Sequence, residues 1–309
     1  MKKIRIYQVD AFTKSAFGGN PAGVVPDAAG LSDIEMQRIA REMNCSETAF
    51  VLPSSIEGAD LRIRFFTPSA EVDLCGHATI AVFHVLASEG RICAEVNEAV
   101  VMQETRAGLL AVKIVKDGAG QVSRVVMDQK LPEILGAFDG KDEIDELAGI
   151  MGLESSDLIL RGLPVRIVST GLPDLMIPVR DLKTLQKAAP DFQRMARFQK
   201  ARGIISMHAF TFETVREGND LHVRDFAPSV EIDEEAATGT ANGALAAYLA
   251  LNKAVLPDAD GLIRLRIEQG HVMDRPSEII AEAVLAGGAV TSVRVGGSAA
   301  IVLEGIMSF

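Results

Sequence analysis

Two eight-residue stretches in opposite halves of the chain nearly repeat each other. Phe66-Thr67-Pro68-Ser69-Ala70-Glu71-Val72-Asp73 and Phe226-Ala227-Pro228-Ser229-Val230-Glu231-Ile232-Asp233 agree at five of eight positions. Each follows a short run with strand-like alternation. Each precedes a segment rich in Ala and Gly that is apolar on every face, from near Gly76 to Gly90 and from Gly239 to Asn252. A helix of that kind has no solvent face and must sit inside a core. A strand, a turn and a buried helix occurring twice in one chain indicate an internal duplication whose halves meet near residue 120. Many short strands with one buried helix per half make the fold class α+β.

The remaining pattern fits that frame. Ile4–Val9 alternates with period two, and Leu61–Phe66 sets Leu61, Ile63 and Phe65 against Arg62 and Arg64. Ser32 with Glu35 three residues on has capping-box spacing and opens a helix to about Met43. Residues 18–25 read as a turn followed by an apolar strand, and further strands are expected at 48–52, 95–103, 109–115, 124–128, 165–169, 176–179, 210–214, 221–226, 263–268, 278–285, 290–296 and 299–303. Helices are expected at 142–151 and 182–187.

Of the 309 residues, 48% are hydrophobic and 24% charged, with a formal net charge of −11. This acidity argues against a nucleic-acid partner, since phosphate contacts call for clustered Lys and Arg. The densest basic run, Lys2, Lys3 and Arg5, lies at the opening of a strand. No apolar stretch reaches about 18 residues, so no membrane span is expected. Asp10 interrupts the start too early for a signal-peptide core. Cys45, Cys75 and Cys93 match no zinc spacing, so no metal is expected. Their odd number suits reduced thiols, and the chain reads as cytoplasmic.

Chemistry can reside in few places. The first turns Gly76-His77-Ala78 and Gly239-Thr240-Ala241 present unpaired N–H groups and the positive end of a helix dipole, a setting that binds a carboxylate. Small residues there serve either ligand approach or tight packing. Cys75, on the N-cap side, is either a thiol of lowered pKa or inert packing. His77 either donates a proton or contacts backbone. Glu47 enters the apolar run Thr48–Val51; partial burial would raise its pKa toward neutrality, and the alternative is an exposed corner glutamate. His84, His208, His222 and His271 show no pattern beyond ordinary packing.

Six blocks together resemble the phenazine-biosynthesis (PhzF-like) branch of the diaminopimelate-epimerase-like superfamily: residues 10–25 (DAFTKSAFGGNPAGVV), 41–51 (REMNCSETAFV), 64–81 (RFFTPSAEVDLCGHATIA), 169–177 (STGLPDLMI), 224–250 (RDFAPSVEIDEEAATGTANGALAAYLA) and 268–277 (EQGHVMDRPS). The resemblance implies two pseudo-symmetric domains, each a curled mixed sheet around a central helix, with the active site in a cleft between them. The last strands are expected to return to the first domain, which makes residues 1–118 plus 288–309 one unit and residues 119–287 the other, and a homodimer is implied. Chemistry without a cofactor is implied too, on a small carboxylate-bearing substrate. Glu47 is implied as the catalytic acid/base, with His77 assisting. Glu235 takes the place of an aspartate that lines the family site, one methylene longer, which puts the phenazine-pathway substrate in doubt. Gly76 and Ala78 in one half, and Thr238, Gly239 and Thr240 in the other, are implied contacts to the substrate carboxylate.

Racemase branches of the superfamily use a cysteine on each central helix. Cys75 matches the first, while Thr238 stands at the second, and a threonine hydroxyl is no base near neutral pH. The reading is proton transfer by an isomerase. Its alternatives are an epimerase or dehydratase acting through Cys75, and a non-catalytic binding protein of the same fold.

Overall fold

In a computed structural model of the chain, residues 1–92 and 97–309 are described. The two helices without a polar face organise everything else. They are α2 (Gly76–Ser88) and α6 (Gly239–Leu251), and nearly every residue of both is buried. The chain divides into two compact units, residues 1–128 with 296–309 and residues 129–295. These boundaries differ from the expected ones because the strand after residue 121 stays hydrogen-bonded to its predecessor and lengthens the first unit.

In the first unit the chain order is β1 (Lys3–Ala11), β2 (Asn20–Val25), α1 (Asp33–Met43), β3 (Glu47–Leu52), β4 (Leu61–Phe66), β5 (Glu71–Val72), α2, β6 (Glu98–Thr105), β7 (Gly108–Lys116) and β8 (Val122–Gln129). β1 pairs antiparallel with β2, β2 parallel with β3, and β3 antiparallel with β4. β4 pairs antiparallel with β5 and parallel with β6, which continues antiparallel through β7 to β8. α2 packs against β1, β2 and β3, so the sheet wraps around it. The capping box at Ser32 is present, its hydroxyl accepting from Glu35 N–H and the Glu35 carboxylate from Ser32 N–H.

The second unit contains β9 (Glu133–Phe138), α3 (Lys141–Met151), β10 (Val165–Ser169), β11 (Pro173–Pro178), α4 (Leu182–Lys187), α5 (Phe192–Arg202), β12 (Ser206–Thr211), β13 (Leu221–Ala227), β14 (Ile232–Glu235), α6, β15 (Leu262–Gln269), β16 (Ser277–Ala286) and most of β17 (Ala289–Gly297). The pairing sequence repeats. β10 is antiparallel to β11, β11 parallel to β12, β12 antiparallel to β13, and β13 antiparallel to β14 and parallel to β15. α6 packs against β10, β11, β15 and β16. β18 (Ala299–Ser308) returns to the first unit and pairs antiparallel with β1, while β9 plays that part for β10.

Several expectations are corrected. The strand placed at 210–214 is Ser206–Thr211, buried at every position and therefore without polar alternation to mark it. The strand placed at 95–103 begins at Glu98 in the described residues; Glu95, with Cys93, lies outside them. β9 and α5 are additional elements. α5 is strongly polar overall and buries only Met195, Phe198 and Gln199, which leaves a weak apolar signal. No helix among the described residues is long and apolar enough to cross a membrane.

Candidate active site

The loop before β2 and the corner before β3 are both set by local chemistry. Asp10 Oδ2 accepts the Phe17 N–H at 2.8 Å, folding residues 11–18 back on themselves. Gly19 closes the loop at φ 58°, where a Cβ would lie 2.0 Å from the Ala11 carbonyl oxygen, so only glycine fits. That return sets Asn20 at the start of β2. α1 ends on Asn44 in the left-handed conformation, and after Cys45 and Ser46 the chain enters β3 at Glu47, opposite Ala22 of β2.

The N-terminus of α2 meets this corner. Cys75 is its N-cap residue and His77 its second residue. His77 Nε2 lies 3.1 Å from Glu47 Oε2, with the two side chains 7% and 15% exposed. The contact is an ion pair rather than an aligned hydrogen bond, for Oε2 is buried and has no hydrogen-bond donor among the described residues. His77 Nδ1 lies 3.3 Å from the Asn20 side-chain amide and 3.5 Å from Cys75 Sγ. Ser46 Oγ donates to Asn20 Oδ1 at 3.4 Å. A doubly protonated ring can only donate, so with His77 charged Nδ1–H is directed to the Cys75 sulfur.

The electrostatics correct the expectation for Glu47. Burial pushes Glu47 upward, but the charge and contact of His77 and a bond from Cys75 outweigh it, and its pKa is lowered from the ordinary carboxyl value. Burial opposes charge on His77, yet Cys75 and Glu47 raise its pKa well above the ordinary imidazole value. The resting pair is carboxylate and imidazolium. Cys75, read from the sequence as either a thiol of lowered pKa or inert packing, is pushed up to about 11, first by burial and then by the Glu47 charge. At neutral pH it is a thiol.

The second unit holds Glu235, Thr238, Gly239 and Thr240 in one place. Thr238 is the N-cap residue of α6. Its hydroxyl lies 2.9 Å from Asp225 Oδ2 and 3.1 Å from Glu235 Oε2, and Gln269 Oε1 accepts its N–H at 3.1 Å. Glu234 is drawn elsewhere, as a bidentate partner of Arg224 at 2.8 Å through both nitrogens.

Around Thr238 lie residues the sequence did not single out. His208 Nδ1 is 2.8 Å from Asp225 Oδ1, and Ser206 Oγ lies 2.8 Å from Asp225 Oδ1 and 2.9 Å from Asp174 Oδ1. Asn242 links His208, the Thr238 carbonyl and Gln269. Asp174 is buried. That burial, with Asp225 and Glu235 adding like charge, raises its pKa well above the ordinary carboxyl value. Asp174 and Asp225 fall inside the matched blocks, and polar residues in fully apolar strands were the one signal available for them.

A group of three potential metal ligands also arises here, since Glu47, Cys75 and His77 each place a ligand atom within 4.8 Å of the others. As an ion pair with a thiol neighbour the set already satisfies its own charges.

Residues 9–305 match the family described as phenazine biosynthesis-like protein. An uncharacterized isomerase of Clostridium acetobutylicum is 37% identical over 98% of each chain. A solved PhzF-family phenazine biosynthesis protein of Bacillus anthracis superposes with a TM-score of 0.87, at 33% identity and full coverage of both chains. A hydroxyproline epimerase of Agrobacterium vitis has the same fold at 13% identity, with a TM-score of 0.64 over 99% of this chain and 92% of its own. The duplicated α+β architecture and the whole-length matches agree, and the chain belongs to the phenazine biosynthesis-like (PhzF) family, as an enzyme of the isomerase type.

Proposed function

We propose that this protein moves a proton between two positions of a small carboxylate-bearing substrate without a cofactor, with Glu47 as the acid/base. The observation that carries this reading is a buried, ionised Glu47 beside His77 whose Oε2 has no aligned donor among the described residues. A carboxylate of lowered pKa is a weak base at rest. A substrate carboxylate arriving beside it raises that pKa by like-charge repulsion, so basicity appears when there is a proton to take.

The substrate carbon that gives up the proton is acidified by a neighbouring carbonyl or unsaturated group. Its C–H bonding pair moves into that group as enolate-like charge, and Glu47 holds the proton. Protonation at the second position by the Glu47 carboxyl collapses that charge and restores the carboxylate. His77, held by Asn20 and beside Cys75, keeps the carboxylate oriented and stabilises its ionised form at the start and end of the cycle. The N–H groups of Gly76, His77 and Ala78, at the positive end of α2, suit the substrate carboxylate or the developing charge.

Catalysis through Cys75 is the weaker reading. Its thiol is pushed up to about 11, and the equivalent residue on α6 is Thr238, whose hydroxyl is engaged by two carboxylates. The test is deuterium incorporation from heavy water into a panel of small carboxylic and amino acids, followed by NMR. Exchange lost in Glu47→Gln and kept in Cys75→Ser supports the proposal; exchange kept in Glu47→Gln overturns it.

A further inference from the structure

β13 and β15 run parallel with His222 opposite Glu268 in register, and both side chains are completely buried. His222 Nδ1 lies 2.7 Å from Glu268 Oε1. That oxygen also accepts the Val215 N–H, and Oε2 accepts Arg216 N–H at 3.1 Å and Asn219 Nδ2 at 2.8 Å. The carboxylate is saturated. It anchors the loop before β13 and, by accepting from Nδ1–H, fixes the His222 tautomer with its lone pair on Nε2.

That Nε2 is buried and has no partner among the described residues. Both ring nitrogens of His271 are buried too, with no aligned hydrogen bond among the described residues. The two rings stand 5.2 Å apart, centroid to centroid, at 45°. One ligand atom from each of His222, Glu268 and His271 lies within 4.8 Å of the others. His271 reaches this position because Gly270 turns the chain at φ 78°, where a Cβ would fall 2.3 Å from the Arg275 carbonyl oxygen and 2.6 Å from that of Ala236. Buried imidazole nitrogens without partners are costly, and a cation that prefers imidazole relieves the cost. Sequence spacing conceals the pair, since the two histidines lie on different strands' ends, far apart in the chain.

We propose that His222 Nε2 and His271 bind a divalent transition-metal ion of the zinc class. Glu268 acts from behind as the orienting carboxylate, the arrangement that fixes ring tautomer and raises ligand basicity at histidine metal sites. Water from the half-exposed side of His271 completes the coordination. The ion fastens the turn at His271–Met273 to the loop that Glu268 holds.

The test strips full-length protein with a chelator and titrates it with zinc chloride in competition with a metal indicator. It then records the visible and near-ultraviolet spectrum with cobalt(II). One equivalent bound at micromolar zinc is expected. His271→Ala, a half-exposed position, should weaken binding at least about tenfold while leaving metal-free melting unchanged, and Glu268→Gln should weaken it about 10–100-fold. Cys75→Ser should leave it unchanged, and the cobalt spectrum should show ligand-field bands without a thiolate charge-transfer band. No binding at about a hundred times the micromolar range, binding indifferent to His271→Ala, or binding lost with Cys75→Ser and accompanied by a thiolate band overturns the proposal.

Discussion

The two units share one pattern of strand pairing, and the residues that carry chemistry depart from it in opposite ways. Superposing the registers places Glu47 of β3 at the position of Ser206 in β12, because Glu47 faces Ala22 and Ser206 faces Asp174. Phe65, facing Ala49, corresponds to Asp225, facing His208. Cys75 corresponds to Thr238 and His77 to Thr240. The first unit therefore concentrates its polar chemistry in one ion pair at the helix start. The second spreads carboxylates over the neighbouring strands and leaves a serine where the first has Glu47.

The echoed segments diverge in length as well. Two residues separate Asp73 from Gly76, while five separate Asp233 from Gly239. Arg64 accordingly pairs with Glu71, but its counterpart Arg224 pairs with Glu234 rather than Glu231. The extra length is where Glu234 and Glu235 reside. A duplicated scaffold holds its backbone pairing constant because each sheet must close around its own helix. Side chains at the helix starts carry no such burden, and so they are free to specialise.

Substitutions at matched positions test whether this asymmetry is functional. The largest effect is expected from Glu47→Gln, a loss of about 10²–10⁴ in the exchange rate, the usual worth of a general acid/base. Ser206→Ala at the matching position should change that rate by less than about tenfold. Comparable losses would mean the chemistry is shared between the units rather than confined to one.

Next comes Asp225→Asn. It replaces a carboxylate that meets Ser206, His208 and Thr238 in a buried network, leaves that network short of an acceptor, and should cost about 1–3 kcal/mol in denaturant unfolding. Asp174→Asn should behave otherwise. A raised pKa means that folding forces Asp174 to take up a proton at neutral pH, so removing the ionisable group should leave stability equal or greater at pH 7. The gain should vanish as pH falls through the ordinary carboxyl range, where the unfolded chain is protonated as well. A loss comparable to that of Asp225→Asn would show that Asp174 is ionised and paired.

The ion pair of the first unit should have its own pH signature. Glu47 is lowered, so its contribution is present above the ordinary carboxyl range and lost as acid titrates it. His77 is raised, so its contribution is present below the ordinary imidazole range and lost as pH rises through its higher folded value. The stability difference between wild type and Glu47→Gln should therefore be greatest between those limits and shrink on both sides. The smallest effect is expected at Cys75: Cys75→Ser should retain exchange within about tenfold, and alkylation of Cys75 should stay slow near neutrality and accelerate toward pH about 11.

Much of the scaffold was legible in the linear pattern. Alternation located Leu61–Phe66 to the residue, Ser32 with Glu35 located the start of α1, and all-round apolarity located α2 and α6. These signals are local, written in residues a few positions apart. β12 was misplaced because a strand buried on both faces has no alternation. His208, Asp225 and Asp174 went unread because their meaning lies in partners on other strands. The resemblance pointed to Glu47, Cys75 and His77, but not to their charge states.

What the sequence determined by itself is the duplicated α+β frame and its family, since both follow from periodicity and from motifs contiguous in the chain. Only the tertiary structure decided that Glu47 is held ionised, that Cys75 stays a thiol and that His222 and His271 meet. Charge state depends on burial and on partners within a few ångströms, and those distances are set by the closing of the sheet, not by separation along the chain.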